Sequence, residues 1–171
     1  MAWPPPLVWV LGLVILQRLA ELAVARRNTR RLLARGGREI GAGHYPLMVA
    51  MHAAWLAAIA FTTPLDTQPD WWMLGFYLLL QFARVWVIAT LGEYWTTRII
   101  TLDDAPLVAK GPFRFVRHPN YLIVTAEIAV LPLAFHNPWV AIVFTVLNLF
   151  MLRHRIRIEQ RALDARAAAV P

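Results

Sequence analysis

A chain of 171 residues is about the size of one domain. With 59% hydrophobic residues and a mean hydropathy of +0.51 it carries more apolar side chains than a core of that length can hide, which excludes an ordinary soluble domain and favours lipid as the solvent. The absence of cysteine excludes disulfides, thiolate zinc sites and a catalytic thiol. A net charge of +7 would suit nucleic acid, but in a membrane protein the same excess marks cytoplasmic loops, so no nucleic-acid role is assigned.

Five apolar segments follow in chain order, at roughly 7–25, 45–62, 71–91, 121–135 and 139–153. The first three are long enough to cross a bilayer at ~1.5 Å per residue. The last two are short. They are separated by "AFHNPW" (134–139), with Pro132 and Pro138 flanking the turn, and read as a helical hairpin. "MAWPPP" has no basic n-region and arginines follow the first span directly, so that span is read as retained. The expected fold class is all-α: a polytopic integral membrane protein of about five transmembrane helices, the last two a hairpin that runs on into a cytoplasmic C-terminal helix. One domain covers 1–171, with three spans in 1–90 and a functional core in 91–165.

Basic residues set the expected topology. Six arginines lie in 26–39, four basic residues in 92–120 and five in 153–171, whereas 62–70 and 134–139 carry none. Fifteen of seventeen positive charges therefore fall on one side, which the positive-inside rule makes cytoplasmic. The N-terminus is expected outside and the C-terminus inside, in a bacterial inner membrane.

Ionisable residues within spans are costly and are functional candidates by default. Here they are Arg18, Glu21, His52, Arg84 and Glu127, with Gln81 and Asn148 as neutral companions. Counting inward from the basic side places all of them at roughly 5–12 Å depth. Such a layer suggests a cavity open to the cytoplasm. The competing reading is snorkelling and structural pairing, for example of Arg18 with Glu21. Glu127 has no basic partner nearby in the sequence.

Two cytoplasmic segments stand out. In "GPFRFVRHPNY" (111–121), Pro119 suits the first turn of a helix, so His118, Pro119 and Asn120 are expected to open the fourth span. Free N–H groups there, beside Arg114, Arg117 and His118, would bind a carboxylate or phosphate, or simply anchor the helix on its positive side. In "RHRIRIEQRAL" (153–163), Arg155 and Glu159 are four apart and share a helix face close to that start. Either they form a surface ion pair or they complete a site.

Together with "LGEYWTTRI" (91–99) and the "NP" of the hairpin turn (137–138), these segments resemble the isoprenylcysteine carboxyl methyltransferase family of integral membrane methyltransferases. The resemblance covers roughly 90–165 and rests on a G-P-Y/F-x-x-x-R-H-P-x-Y run followed, after a short hairpin, by R-x-x-x-E-E. It implies that the hairpin and C-terminal helix enclose S-adenosylmethionine and that a lipophilic acceptor enters from the bilayer lipid. Carried over, Lys110, Gly111, Arg117, His118, Pro119, Tyr121, Arg155 and Glu159 would hold the cofactor. Arg84, Trp95, Thr97, Arg98 and Asn148 would face the acceptor, and Thr96 the rim. Two positions depart from the family pattern. Gln160 replaces the second acidic residue, and "LIVTAE" (122–127) replaces the glycine after the tyrosine. Both bear on a prenylcysteine substrate more than on the cofactor. The arrangement looks more like the bacterial branch associated with long-chain polyketide phenols and pyrones.

Methyl transfer from a sulfonium is an in-line displacement that needs positioning and exclusion of water. A carboxylate acceptor needs no base. A phenol or enol gains from one, the phenolic pKa being near 10. Glu127 is the expected base, with Arg155 and Glu159 as the other catalytic candidates. The competing functions are phospholipid N-methylation, an NADPH-dependent sterol-type reductase sharing the RHPNY run, and a non-enzymatic transporter or assembly factor. "GAGH" (41–44) has the glycines of a dinucleotide site but no preceding strand or βαβ pattern. No metal ligand set is read, and the oligomeric state stays open.

Overall fold

The computed structural model describes residues 4–102 and 108–168, with side chains described as far as residue 161. Five helices build the chain: α1 (Pro6–Ala34), α2 (Tyr45–Thr62), α3 (Trp71–Leu91), α4 (Pro119–Ala134) and α5 (Pro138–Ala168). Four of them, all but α4, are long and apolar enough to span a bilayer. The protein is thus an all-α polytopic membrane protein. Its lipid-facing surface is correspondingly greasy: Leu13, Leu79, Phe82 and Phe150 are all exposed.

Two helices run further than the apolar segments alone suggest. The first span, read as 7–25, continues as helix to Ala34, because arginine is a good helix former and no glycine intervenes before Gly36. There Gly36 adopts φ +89°. Its N–H donates to the Leu33 carbonyl and the Gly37 N–H to the Leu32 carbonyl, the paired bonds of a Schellman stop. The fifth segment, read as the short 139–153, is part of one unbroken 31-residue helix. α4 is only 16 residues, or ~24 Å. It needs no greater length, since it lies between α3 and α5 and buries Ile123, Glu127, Ile128 and Leu131 in protein rather than lipid.

The two ends of the bundle differ. At one end, Asp70 caps α3 through its side chain and donates its backbone N–H to the Ala134 carbonyl, while Asn137 reaches Thr62 and Thr63. Exposed Trp71, Trp72 and Trp139 crowd this end, as aromatic residues do at a membrane interface. The apolar core of Leu7, Trp55, Ile59, Leu131 and Phe135 lies beneath it. The segments carrying fifteen of the seventeen basic residues converge at the other end. There β1 (Arg38–Glu39) pairs antiparallel with β2 (Ile100–Thr101). A two-residue strand therefore does precede "GAGH", contrary to expectation. It is antiparallel, with no crossover helix, so it makes no nucleotide-binding βαβ unit.

Candidate active site

The site grows from the first turn of α4. Pro119 occupies the opening of the helix, as expected, which turns Tyr121 toward α5. The Tyr121 hydroxyl donates to Glu159 Oε2 (2.5 Å) and accepts from Arg155 Nε (2.9 Å). His118 stacks on the Tyr121 ring at 5.3 Å, and its Nδ1 lies 3.9 Å from the same Glu159 oxygen. Arg155 and Glu159 are thus joined through a hydroxyl from the other hairpin arm.

These groups, with Arg117, Asn120 and Thr96, line a polar cleft of about 200 Å³. Arg98 forms its rim, paired with Glu39 at 2.8 Å and lying over the Tyr45 ring at 4.5 Å. A second cavity of about 300 Å³ begins where the first ends: Trp95, Thr96, Asn120, Tyr121 and Arg155 line both. Its walls are mostly apolar, including Leu19 and Leu22 of α1, Val49 and Leu56 of α2, and Val124 of α4. Leu19 and Val49 are themselves exposed on the lipid-facing surface. A cleft at the basic end therefore shares a wall with a greasy tunnel that reaches the lipid-facing surface at α1 and α2.

The intramembrane charges form one network on the tunnel's flank. Arg84 grips Glu21 with two bonds (2.6 and 2.7 Å) and reaches Glu127 at 3.1 Å. Arg18 bonds Glu21 at 3.1 Å and Glu127 at 2.7 Å, while Gln17 and Gln81 fill the remaining carboxylate positions. Two positive and two negative charges cancel, so each glutamate is stabilised by two guanidinium groups. Glu127 is fully buried and lines neither cavity. Its apparent isolation is thereby corrected: its partners come from α1 and α3, more than forty residues away in sequence.

The other expected residues sort as follows. Arg117, His118, Pro119, Tyr121, Arg155 and Glu159 line the cleft, whereas Lys110 and Gly111 do not. Lys110 is exposed. Gly111 serves packing instead: at φ +58° its backbone crosses α3 so closely that a Cβ would sit 2.8 Å from Thr90 Oγ1. Of the acceptor candidates, Arg84, Trp95, Thr97 and Asn148 line the tunnel, and Arg98 faces the polar cleft. Asn148 donates to Thr125 Oγ1 and Thr97 to the Tyr45 hydroxyl. Four contributors escaped sequence reasoning. Tyr45 and Met48 line the tunnel, Asn120 lines both cavities, and Asn28 donates to the Gly92 and Trp95 carbonyls, fixing the turn that presents Trp95. Only Asn120 carried a signal, its place inside the RHPNY run.

The fold and site define an integral membrane protein whose solvent-side polar cleft meets a lipid-side tunnel. The chain belongs to the isoprenylcysteine carboxyl methyltransferase (ICMT) family, whose profile matches residues 73–165. It is 38% identical to the uncharacterized protein YpbQ of Bacillus subtilis (strain 168), over 91% of this chain and 96% of that protein. It is 28% identical to an uncharacterized protein of Haemophilus influenzae, over 86% and 88% of the respective chains. No solved structure matches it. Membership brings membrane methyl transfer with it as the expected chemistry.

The cleft suits the donor that such chemistry uses. S-Adenosylmethionine presents an ammonium, a carboxylate and an aromatic base. Glu159, Arg117 with Arg155, and Tyr94 with Phe113 offer the complementary groups. Asn120 Oδ1 is buried without a hydrogen-bond partner at the junction of the cavities, an acceptor left for a ligand to satisfy.

Proposed function

We propose that this protein transfers a methyl group from S-adenosylmethionine to a lipophilic acceptor, either a long-chain phenol or pyrone hydroxyl or a prenylcysteine-like carboxylate. The single observation that carries this reading is the common wall of Trp95, Thr96, Asn120, Tyr121 and Arg155, which lets a polar donor and a greasy acceptor meet end to end. When bound, the cofactor supplies an electrophilic methyl group on a sulfonium that is already a good leaving group. Glu159 and Arg155 hold the ammonium and carboxylate ends, kept in register by Tyr121. Trp95 and Tyr121 exclude water from the junction, and the tunnel holds the acceptor's chain, so reacting atoms approach in a dry, ordered arrangement. The converging basic segments support a cleft that faces the cytoplasm of a bacterial inner membrane.

The test is a thermal shift on detergent-purified protein. S-Adenosylhomocysteine at ~100 times its dissociation constant should stabilise the fold by about 2.7 kcal/mol, and Glu159→Ala should abolish most of that shift. Stabilisation by NADPH alone would replace methyl transfer with hydride transfer.

A further inference from the structure

We propose that His52 takes the proton from a hydroxyl acceptor during methyl transfer. The proposal rests on the methyltransferase reading above and adds a residue to it. His52 lies on α2 and lines the tunnel one helical turn, ~6 Å, beyond Met48. Met48 Sδ is 3.4 Å from Arg155 Nη1, on the wall common to both cavities. His52 Nδ1 lies 2.9 Å from the Met48 carbonyl oxygen. A carbonyl only accepts, so Nδ1 carries the hydrogen and Nε2 of the neutral ring carries the lone pair.

Elimination points the same way. Among the described residues lining the tunnel, the arginines 18, 84 and 155 have no lone pair to offer. Glu21 has both oxygens engaged, Oε1 by Gln17 and Arg84, Oε2 by Arg18 and Arg84. Tyr121 donates to Glu159, and Tyr45 accepts from Thr97. That leaves the His52 imidazole as the neutral nitrogen base among the described residues lining the tunnel. The charges around it are Arg18 and Glu21 from α1, Arg84 from α3, Glu127 from α4, which is buried behind the tunnel wall, and Arg155 from α5. The first four cancel, and Arg155 is linked through Tyr121 to Glu159. A transient imidazolium therefore adds one charge to a nearly balanced surrounding.

In the step itself, His52 Nε2 accepts the hydroxyl proton while the acceptor oxygen bonds the methyl carbon. The carbon–sulfur bond breaks and its electron pair stays on sulfur, leaving a neutral thioether and an ether product. The imidazolium then returns its proton to water through the open cleft.

The experiment compares wild type, His52→Asn and His52→Gln in detergent, with S-adenosylmethionine and 5-pentadecylresorcinol as the phenolic probe, from pH 6 to about pH 10. N-Acetyl-S-farnesylcysteine serves as a carboxylate probe with no proton to remove. Asn preserves an N–H for the Met48 carbonyl, and S-adenosylhomocysteine thermal shifts report folding and cofactor binding of each variant. Both variants should keep the shift and lose about 10²–10⁴-fold in phenol methylation at pH 7. The loss should shrink about tenfold per pH unit as the phenol ionises by itself. Equal losses at every pH, an unchanged rate, or wild-type methylation of the carboxylate probe alone would overturn the assignment. A wild type that S-adenosylhomocysteine fails to stabilise would instead sink the methyltransferase reading and this proposal with it.

Discussion

Glu127 illustrates how a residue's meaning depends on what surrounds it. Taken alone, an acid in the middle of an apolar helix is a candidate base. With Arg18, Arg84 and Gln81 around it, both of its oxygens are bound and it touches neither cavity. Its work is to tie α1 and α3 to α4 from beneath the site. Glu127→Gln removes the charge and leaves the buried Arg84 and the half-buried Arg18 guanidinium groups facing Glu21 alone. The expected cost is about 3–5 kcal/mol of stability, the range for breaking a buried ion pair from one side. Whatever activity survives should show a pH profile parallel to that of wild type. Recovery of Glu127→Gln at high pH would return the base to this position and take it from His52.

At the scale of elements, the hairpin of α4 and α5 decides the geometry of the cleft. α4 contributes an opening turn and α5 a pair of residues on one face, and neither makes a site alone. The Tyr121 hydroxyl is the joint between them. Tyr121→Phe keeps the ring that stacks on His118 and removes only that joint. A hydrogen bond to a charged partner is worth about 1.5–3 kcal/mol, so S-adenosylhomocysteine affinity should fall by roughly 10- to 100-fold. Isothermal titration in detergent measures it. An unchanged affinity would mean that Arg155 and Glu159 hold their positions without the hydroxyl.

At the scale of the whole molecule, the bundle is packed at one end and hollow at the other. Core residues such as Leu7, Ile59 and Phe135 close the end carrying the tryptophans. At the basic end polar side chains bridge the helices and leave the cleft and tunnel between them. The proposed orientation, with the cleft facing the cytoplasm, makes a direct prediction, and the chain's lack of cysteine makes it easy to test. A membrane-impermeant maleimide should label Asp66→Cys in intact cells and Lys110→Cys only in inverted vesicles. The reverse pattern would put the cleft on the outer face.

Much of this protein was determined by its sequence alone, for reasons that are local. Apolar runs have nowhere to go but lipid, so the membrane class and the approximate helices were legible. Proline at an opening turn and an Arg/Glu spacing of four are likewise local, so the approach of the His118 helix start to Arg155 and Glu159 could be anticipated, while Tyr121 was added by the family resemblance. Tertiary structure decided everything that depends on which helices become neighbours. Only the packed bundle supplies Glu127 with arginines from α1 and α3, and turns Gly111 from a cofactor contact into a crossing point on α3. Only the packed bundle sets Trp95 in the wall of both cavities and places His52 on the wall of the second, its Nδ1 against the Met48 carbonyl. A charge in a membrane takes its role from its partners, and those partners lie elsewhere in the chain.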